Sequence, residues 1–100
     1  MSYSELELKV LRWSEARKII PNSTALAQAK KAIEEVQELY DALLEGDIQK
    51  AKDGVGDTAV CLINVCALLD VNLTDCLELA YDEIKDRKGS LNADGLWVKE

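Results

Sequence analysis

Apolar residues recur along this chain at spacings of three and four, the period of an α-helix, in four stretches separated by short polar breaks. The first stretch spans Ser4 to Lys18, with Leu6, Val10, Leu11 and Trp13 on or near one stripe. Pro21-Asn22-Ser23 breaks the chain, and Asn22 or Ser23 is placed to cap the next helix. The second stretch spans Thr24 to Glu45, with Ala29, Ile33, Val36, Leu39, Tyr40 and Leu43 at helical spacing. Gly46 ends it, and Asp47 caps a third helix from Ile48 to Leu69. After a turn over residues 70 to 73, Thr74 caps a fourth from Asp75 to Lys88, with Leu77, Ala80, Tyr81 and Ile84 inward and Gly89 as the stop. The tail from Ser90 to Glu100 carries an Asp94-Gly95 turn followed by Leu96-Trp97-Val98, and is expected to fold back on the bundle or on a neighbouring subunit. The pattern predicts one all-α domain over residues 1 to 100, a four-helix bundle with a short non-helical C-terminal tail.

From Ala59 to Leu69 the third helix is apolar on nearly every side, broken only by Asn64. A helix of that kind lies in the middle of something. One hundred residues cannot surround it, so the stretch predicts an oligomer, a homodimer or a dimer of dimers. Composition agrees with the bundle: 48% of residues are apolar but none is Phe, and one Pro with five Gly leaves little for the turns of an all-β fold.

The net charge of −7 argues against nucleic acid as a partner. No apolar run is long enough for a membrane span, and the N-terminus has no basic region or apolar signal core, so the expected location is the cytoplasm. Cys61, Cys66 and Cys76 sit in apolar helical surroundings and read as small buried hydrophobes. Histidine is absent, which excludes Ser-His-Asp and Cys-His chemistry and the Glu-x-x-His pairs of di-iron bundles.

The informative residues are acids. Glu34, Glu35 and Glu38 share a side of the second helix, and Asp53 and Asp57 share a face of the third. Like charges at this spacing repel, and Asp53-Gly54-Val55-Gly56-Asp57 is a poor helical sequence. A hard divalent cation would repay both, because magnesium and manganese take carboxylate oxygens and bridge to phosphates. The short Gly46-Asp47 turn lays the two helices side by side at matching depth, and Gly54 and Gly56 would let a ligand or a helix approach closely. The competing view is a solvated acidic face.

The segment Gln28-Ala-Lys-Lys31-Ala-Ile-Glu34-Glu35-Val-Gln-Glu38-Leu39 resembles the first motif of the MazG family of nucleoside triphosphate pyrophosphohydrolases. Gly56-Asp57 opening an apolar helix, with Asn64 two turns later, is similar to the second motif. Cys76 to Gly89, with Ala80, Asp82, Lys85 and Arg87, resembles the third, and Asp94-Gly95-Leu-Trp-Val-Lys99 resembles the tails of small single-domain members. The resemblance covers nearly the whole chain. It implies magnesium-dependent cleavage of a nucleoside triphosphate, a deoxynucleotide foremost, to monophosphate and pyrophosphate. It also implies Glu35, Glu38 and Asp57 as metal ligands. The family's further Glu would fall at Gly54; here Asp53, one residue earlier, is the nearest acid and is expected to substitute for it as a metal ligand, directly or through water.

Glu34 is then a ligand or the group that orients water. Lys31 is either an ion-pair partner of Glu35 or a phosphate contact, and Lys85 is placed likewise. Asp82 stands where the family often has Asn and would touch substrate or metal. Asn64 is a core-network residue or a substrate contact. Trp13 belongs to the core or stacks on a base. Two rivals remain: a phosphoribosyl-ATP pyrophosphohydrolase of the same fold, and a non-catalytic helical interaction protein.

Overall fold

Ser2 opens the first helix, its hydroxyl accepting the Glu5 backbone N–H at 3.2 Å, and α1 runs Tyr3–Ala16. It stops two residues short of expectation because Lys18 adopts a left-handed conformation (φ 61°), which a helix interior does not allow. A single turn, α2 (Ile19–Asn22), carries Pro21. The cap of the long α3 (Ala25–Glu45) is Thr24, whose hydroxyl accepts the Ala27 N–H at 3.0 Å. The expected caps are otherwise engaged: Asn22 donates to the Lys18 carbonyl, and Ser23 accepts from Gln28. Such a cap contributes about 1 kcal/mol. Gly46, at φ 73°, ends α3, and Asp47 caps α4 (Ile48–Leu68) by accepting the Lys50 N–H at 3.0 Å. This computed structural model describes residues 1–100.

The C-terminal third departs further from expectation. Asn72, not Thr74, caps α5, which spans Leu73–Ile84 and so begins two residues earlier and ends four earlier than the sequence suggests. Thr74 is recruited elsewhere: its hydroxyl and the Leu73 N–H both donate to the Glu7 carboxylate of α1, at 3.2 and 2.9 Å. An acid at a helix N-terminus also complements the exposed N–H groups there. Gly89 begins a strand rather than stopping a helix. β1 (Gly89–Leu91) pairs antiparallel with β2 (Trp97–Lys99), Leu91 opposite Trp97, around the Asp94-Gly95 turn. The tail is non-helical as expected, but its backbone pairs with itself.

Packing is dominated by the α3–α4 hairpin, and its seam is small. Ala32 and Ala42 on α3 face Ala51, Gly54 and Cys61 on α4, all buried. Small side chains let the two helices approach so closely that the longer residues are left on the flanks. The apolar stripe read from the sequence is therefore displaced: Ile33, Val36, Tyr40 and Leu43 are exposed within one chain, and Glu35 takes an inward position beside the alanines. The all-round apolar stretch is only partly covered. Cys61, Ile63, Asn64 and Cys66 are buried within the chain, while Leu62 and Leu69 are exposed.

A polar ladder ties the remaining elements to α4. Asn64, 3% exposed, accepts from the Ser14 hydroxyl of α1 and donates to Gln28 Oε1 of α3 at 3.1 Å, and Gln28 in turn donates to Ser23. Leaving one such buried group unpaired costs about 1–3 kcal/mol. α5 turns away from α4 by 99° and touches it through Cys76, whose Sγ lies 3.9 Å from that of Cys66. Leu77, Ala80, Tyr81 and Ile84, expected inward, are exposed, so one chain does not close a four-helix bundle. All three cysteines are free thiols. No single helix is long and apolar enough to cross a membrane.

Candidate functional site

A close contact between α3 and α4 marks the site's depth. Gly54 lies against Leu39: a Cβ at position 54 would sit 3.0 Å from the Leu39 Cβ and 3.1 Å from its Cα. The helices run antiparallel, so Glu35, one turn back from Leu39, lies level with Thr58, one turn on from Gly54. Gly56, by contrast, faces open space and mediates no approach.

Glu35 is the buried acid of the set, 8% exposed. Its Oε1 is paired with Lys31 Nζ at 3.4 Å, and Lys31 also reaches Glu34 Oε2 at 3.5 Å. Both contacts hold the Lys31 ammonium above its ordinary range, the hydrogen bond to Glu35 most strongly. The other Glu35 oxygen, Oε2, is buried and has no hydrogen-bond partner. A carboxylate oxygen withdrawn from water and left unpaired is uncommon in a folded protein.

Asp57 of α4 belongs to the same neighbourhood. The Cys61 thiol, one turn beyond Asp57, is pushed up first by its burial and then by the charges of Glu35, Asp57 and Glu34. The charges of all three carboxylates are thus felt at one buried thiol of the seam. Glu38 and Asp53 are exposed on the helical turns next to Glu34 and Asp57 respectively, on the same flank of the hairpin. No three acids converge to coordination distance in this arrangement. Glu34, Glu38, Asp53 and Asp57 are all exposed, whereas Glu35 is buried.

Every candidate donor is a carboxylate oxygen, the ligand type that hard divalent cations take, and Glu35 presents one with no partner, although the acids stand apart in one chain.

α1 closes the flank from above. Trp13, Lys9, Leu6 and Val10 line a cleft of about 410 Å³ with Asp57 and Val60 of α4. Trp13 is 44% exposed, and the Arg17 guanidinium lies 4.3 Å from its ring centroid. The indole is therefore a wall of the cleft and already carries a cation on one face. Lys9 was not among the residues read from the sequence; its position one helical turn before Trp13 was the available signal.

The remaining expected site residues lie elsewhere. Asn64 sits within the polar ladder, with its side-chain oxygen and nitrogen both engaged. Asp82 and Lys85 pair with each other at 3.6 Å on the exposed α5, and no hydrogen bond or ion pair joins them to α3 or α4. Arg87 and Lys88 lie beyond the end of α5, which closes at Ile84. Comparison with known proteins adds no relative: no family model, no curated protein and no solved structure matches this chain.

Proposed function

We propose that the chain hydrolyses nucleoside triphosphates, deoxynucleotides foremost, between the α and β phosphates, with magnesium, or manganese in its place, held on the acidic flank of α3 and α4. The observation that carries this reading is Glu35 Oε2, a buried carboxylate oxygen without a partner at the level of Asp57. A solvated acidic face has no reason to bury one of its members.

Glu35, Glu38 and Asp57 would hold the cation, with Asp53 standing in for the acid that the MazG resemblance expects at position 54. Bound there, the cation would neutralise charge on phosphate oxygens and lower the cost of developing charge at phosphorus. Glu34, exposed beside Glu35, is placed to accept a proton from an attacking water. Lys31 is half exposed on a flexible stem and can move from Glu34 to a phosphate while keeping Glu35 within reach. The Trp13 wall and Lys9 would receive the nucleoside end in the adjoining cleft.

The deciding experiment incubates the chain with magnesium and a panel of nucleotides, phosphoribosyl-ATP included, and resolves pyrophosphate from orthophosphate. Pyrophosphate with a monophosphate supports the reading; orthophosphate with a diphosphate overturns it. One observation favours a non-catalytic interaction protein: Glu38, Asp53 and Asp57 are exposed and do not converge. Absence of turnover, together with no magnesium-dependent change in stability, selects that alternative.

A further inference from the structure

Two of the three thiols meet where α4 ends and α5 begins. Cys66 Sγ and Cys76 Sγ lie 3.9 Å apart, and both are free. The acidic flank makes no use of them, since Cys66 stands about two and a half helical turns beyond Asp57.

The backbone holds this meeting from both sides. Asp70 takes a left-handed conformation, φ 58°, at the end of α4. The Val71 N–H donates to the Cys66 carbonyl at 2.9 Å, and the Asp70 N–H to the Ala67 carbonyl at 3.1 Å. That pair of bonds is the Schellman ending of a helix, so Cys66 anchors the turn through its own carbonyl. On the other side, Asn72 accepts the Asp75 N–H at 2.8 Å, and Glu7 holds the Leu73 N–H and the Thr74 hydroxyl. Cys76 follows directly in the first turn of α5.

Exposure sets an order of reaction. Cys66 is 7% exposed and Cys76 half-buried, so a small oxidant in water reaches Cys76 first. Burial, then contact with Cys76, pushes the Cys66 thiol up to about 11. It keeps its proton near neutral pH and is a poor first nucleophile. Cys61 is the internal comparison: five residues before Cys66 on the same helix, it is turned from it by about 140°.

We propose that Cys66 and Cys76 form an oxidisable pair, a site at which hydrogen peroxide makes a reversible disulfide that clamps α5 to the end of α4. The Cys76 sulfur attacks a peroxide oxygen, the O–O bond breaks, and a sulfenic acid and one water result. The Cys66 sulfur then attacks the Cys76 sulfur. The S–S bond forms as the S–O bond breaks, and the hydroxyl leaves as a second water with the Cys66 proton. Two thiols lose two electrons and one peroxide gains them. A thiol reductant reverses the bond by exchange. The clamp would act on a helix that one chain covers poorly, with Leu77, Tyr81 and Ile84 exposed. It stands independently of what the acidic flank does.

The test treats the full chain with hydrogen peroxide at neutral pH, then counts free thiols after unfolding and takes the intact mass without reductant. The count is expected to fall from three to one, and to return to three with dithiothreitol. The mass should stay at 11.1 kDa less two hydrogens, with peptide mapping joining Cys66 to Cys76 and leaving Cys61 free. Cys66→Ser should stop at the Cys76 sulfenic acid, trapped by dimedone; if that variant does not fold, mapping of the unaltered chain decides. Three surviving thiols under peroxide that oxidises free glutathione overturn the proposal. So does Cys76 driven to sulfinic acid beside an intact Cys66 thiol, and so does a disulfide that includes Cys61 or joins two chains.

Discussion

Gly54 and Leu39 are in close contact across the α3–α4 seam, and the missing side chain at position 54 is what permits it. A Cβ there would crowd Leu39 Cβ and backbone at 3.0 and 3.1 Å, and the backbone cannot swing aside as a long side chain could. Overpacking of this kind costs about 1–3 kcal/mol, against about 1 kcal/mol gained from replacing a helical glycine by alanine. Gly54→Ala should therefore lose about 1 kcal/mol net, while Gly56→Ala, which meets open space, should gain up to about 1 kcal/mol. Urea denaturation of the two variants checks the opposite signs.

The same geometry bears on the departure from the MazG pattern. A glutamate at 54 would stand inside the seam and not on the acidic flank. Gly54→Glu should then unfold the hairpin rather than strengthen magnesium binding. A folded Gly54→Glu variant with tighter magnesium affinity would show that the seam opens more readily than the Leu39 contact implies.

Glu35 and Lys31 make a second test, of stability. Lys31→Met removes the only partner of a nearly buried carboxylate, and an orphaned group of this kind costs about 1–3 kcal/mol, more when charged. Glu35→Leu in the same background should recover most of that loss, because apolar replacement of both partners is often neutral. Thermal melts of the single and double variants read the coupling. Additive losses in the double variant would mean that the pair contributes nothing.

Much of this architecture is legible in the sequence, and the exceptions have a common cause. The Gly46 stop and the Asp47 cap depend on residues next to them, and local pattern finds them. The Asn72 cap and the early start of α5 depend partly on Glu7, far away in sequence, which binds the helix start from α1. Likewise, the pairing of Glu35 with Lys31 comes from i,i+4 spacing, whereas its inward position comes from Ala32, Ala42 and Gly54 drawing the helices together. Periodicity marks which residues share a face. It does not say which of two adjacent apolar faces the smaller residues will pull into the seam.

Alkaline pH should destabilise the fold through Cys66. Its thiol is pushed up from 9.0 to about 11, by burial first and then by contact with Cys76. The folded chain therefore holds that proton more tightly than the unfolded chain does. The stabilisation is whole below pH 9 and is lost as the pH rises toward 11. Its size is at most about 3 kcal/mol. Urea midpoints at pH 8 and at alkaline pH should fall less in Cys66→Ala than in the unaltered protein, whatever the variant's starting stability. Equal falls would assign the alkaline loss to other groups, such as Cys61 and Tyr3, whose protons are also held more tightly.

The acids of the flank separate the metal site from a solvated face by a paired signature. Glu38→Gln and Asp57→Asn keep side-chain volume and remove one negative charge from a group of neighbours that repel one another when no cation is bound. Magnesium-dependent turnover should fall by orders of magnitude in both, while the melting temperature in the presence of a chelator does not fall. In the unaltered protein, magnesium should raise the melting temperature, since a ligand that binds only the folded chain stabilises it, and both variants should lose that rise. Asp53→Asn is the discriminating member, because Asp53 stands where the chain leaves the family pattern, next to a glycine that cannot carry the missing acid. Loss of both turnover and the magnesium-dependent rise places Asp53 among the ligands. Full retention of both removes it and turns attention to Asp82, which would have to reach the flank from an α5 that one chain holds apart from it, so a partner subunit would then supply it. Retention of full turnover in Glu38→Gln and Asp57→Asn as well would leave these carboxylates with no role beyond solvation.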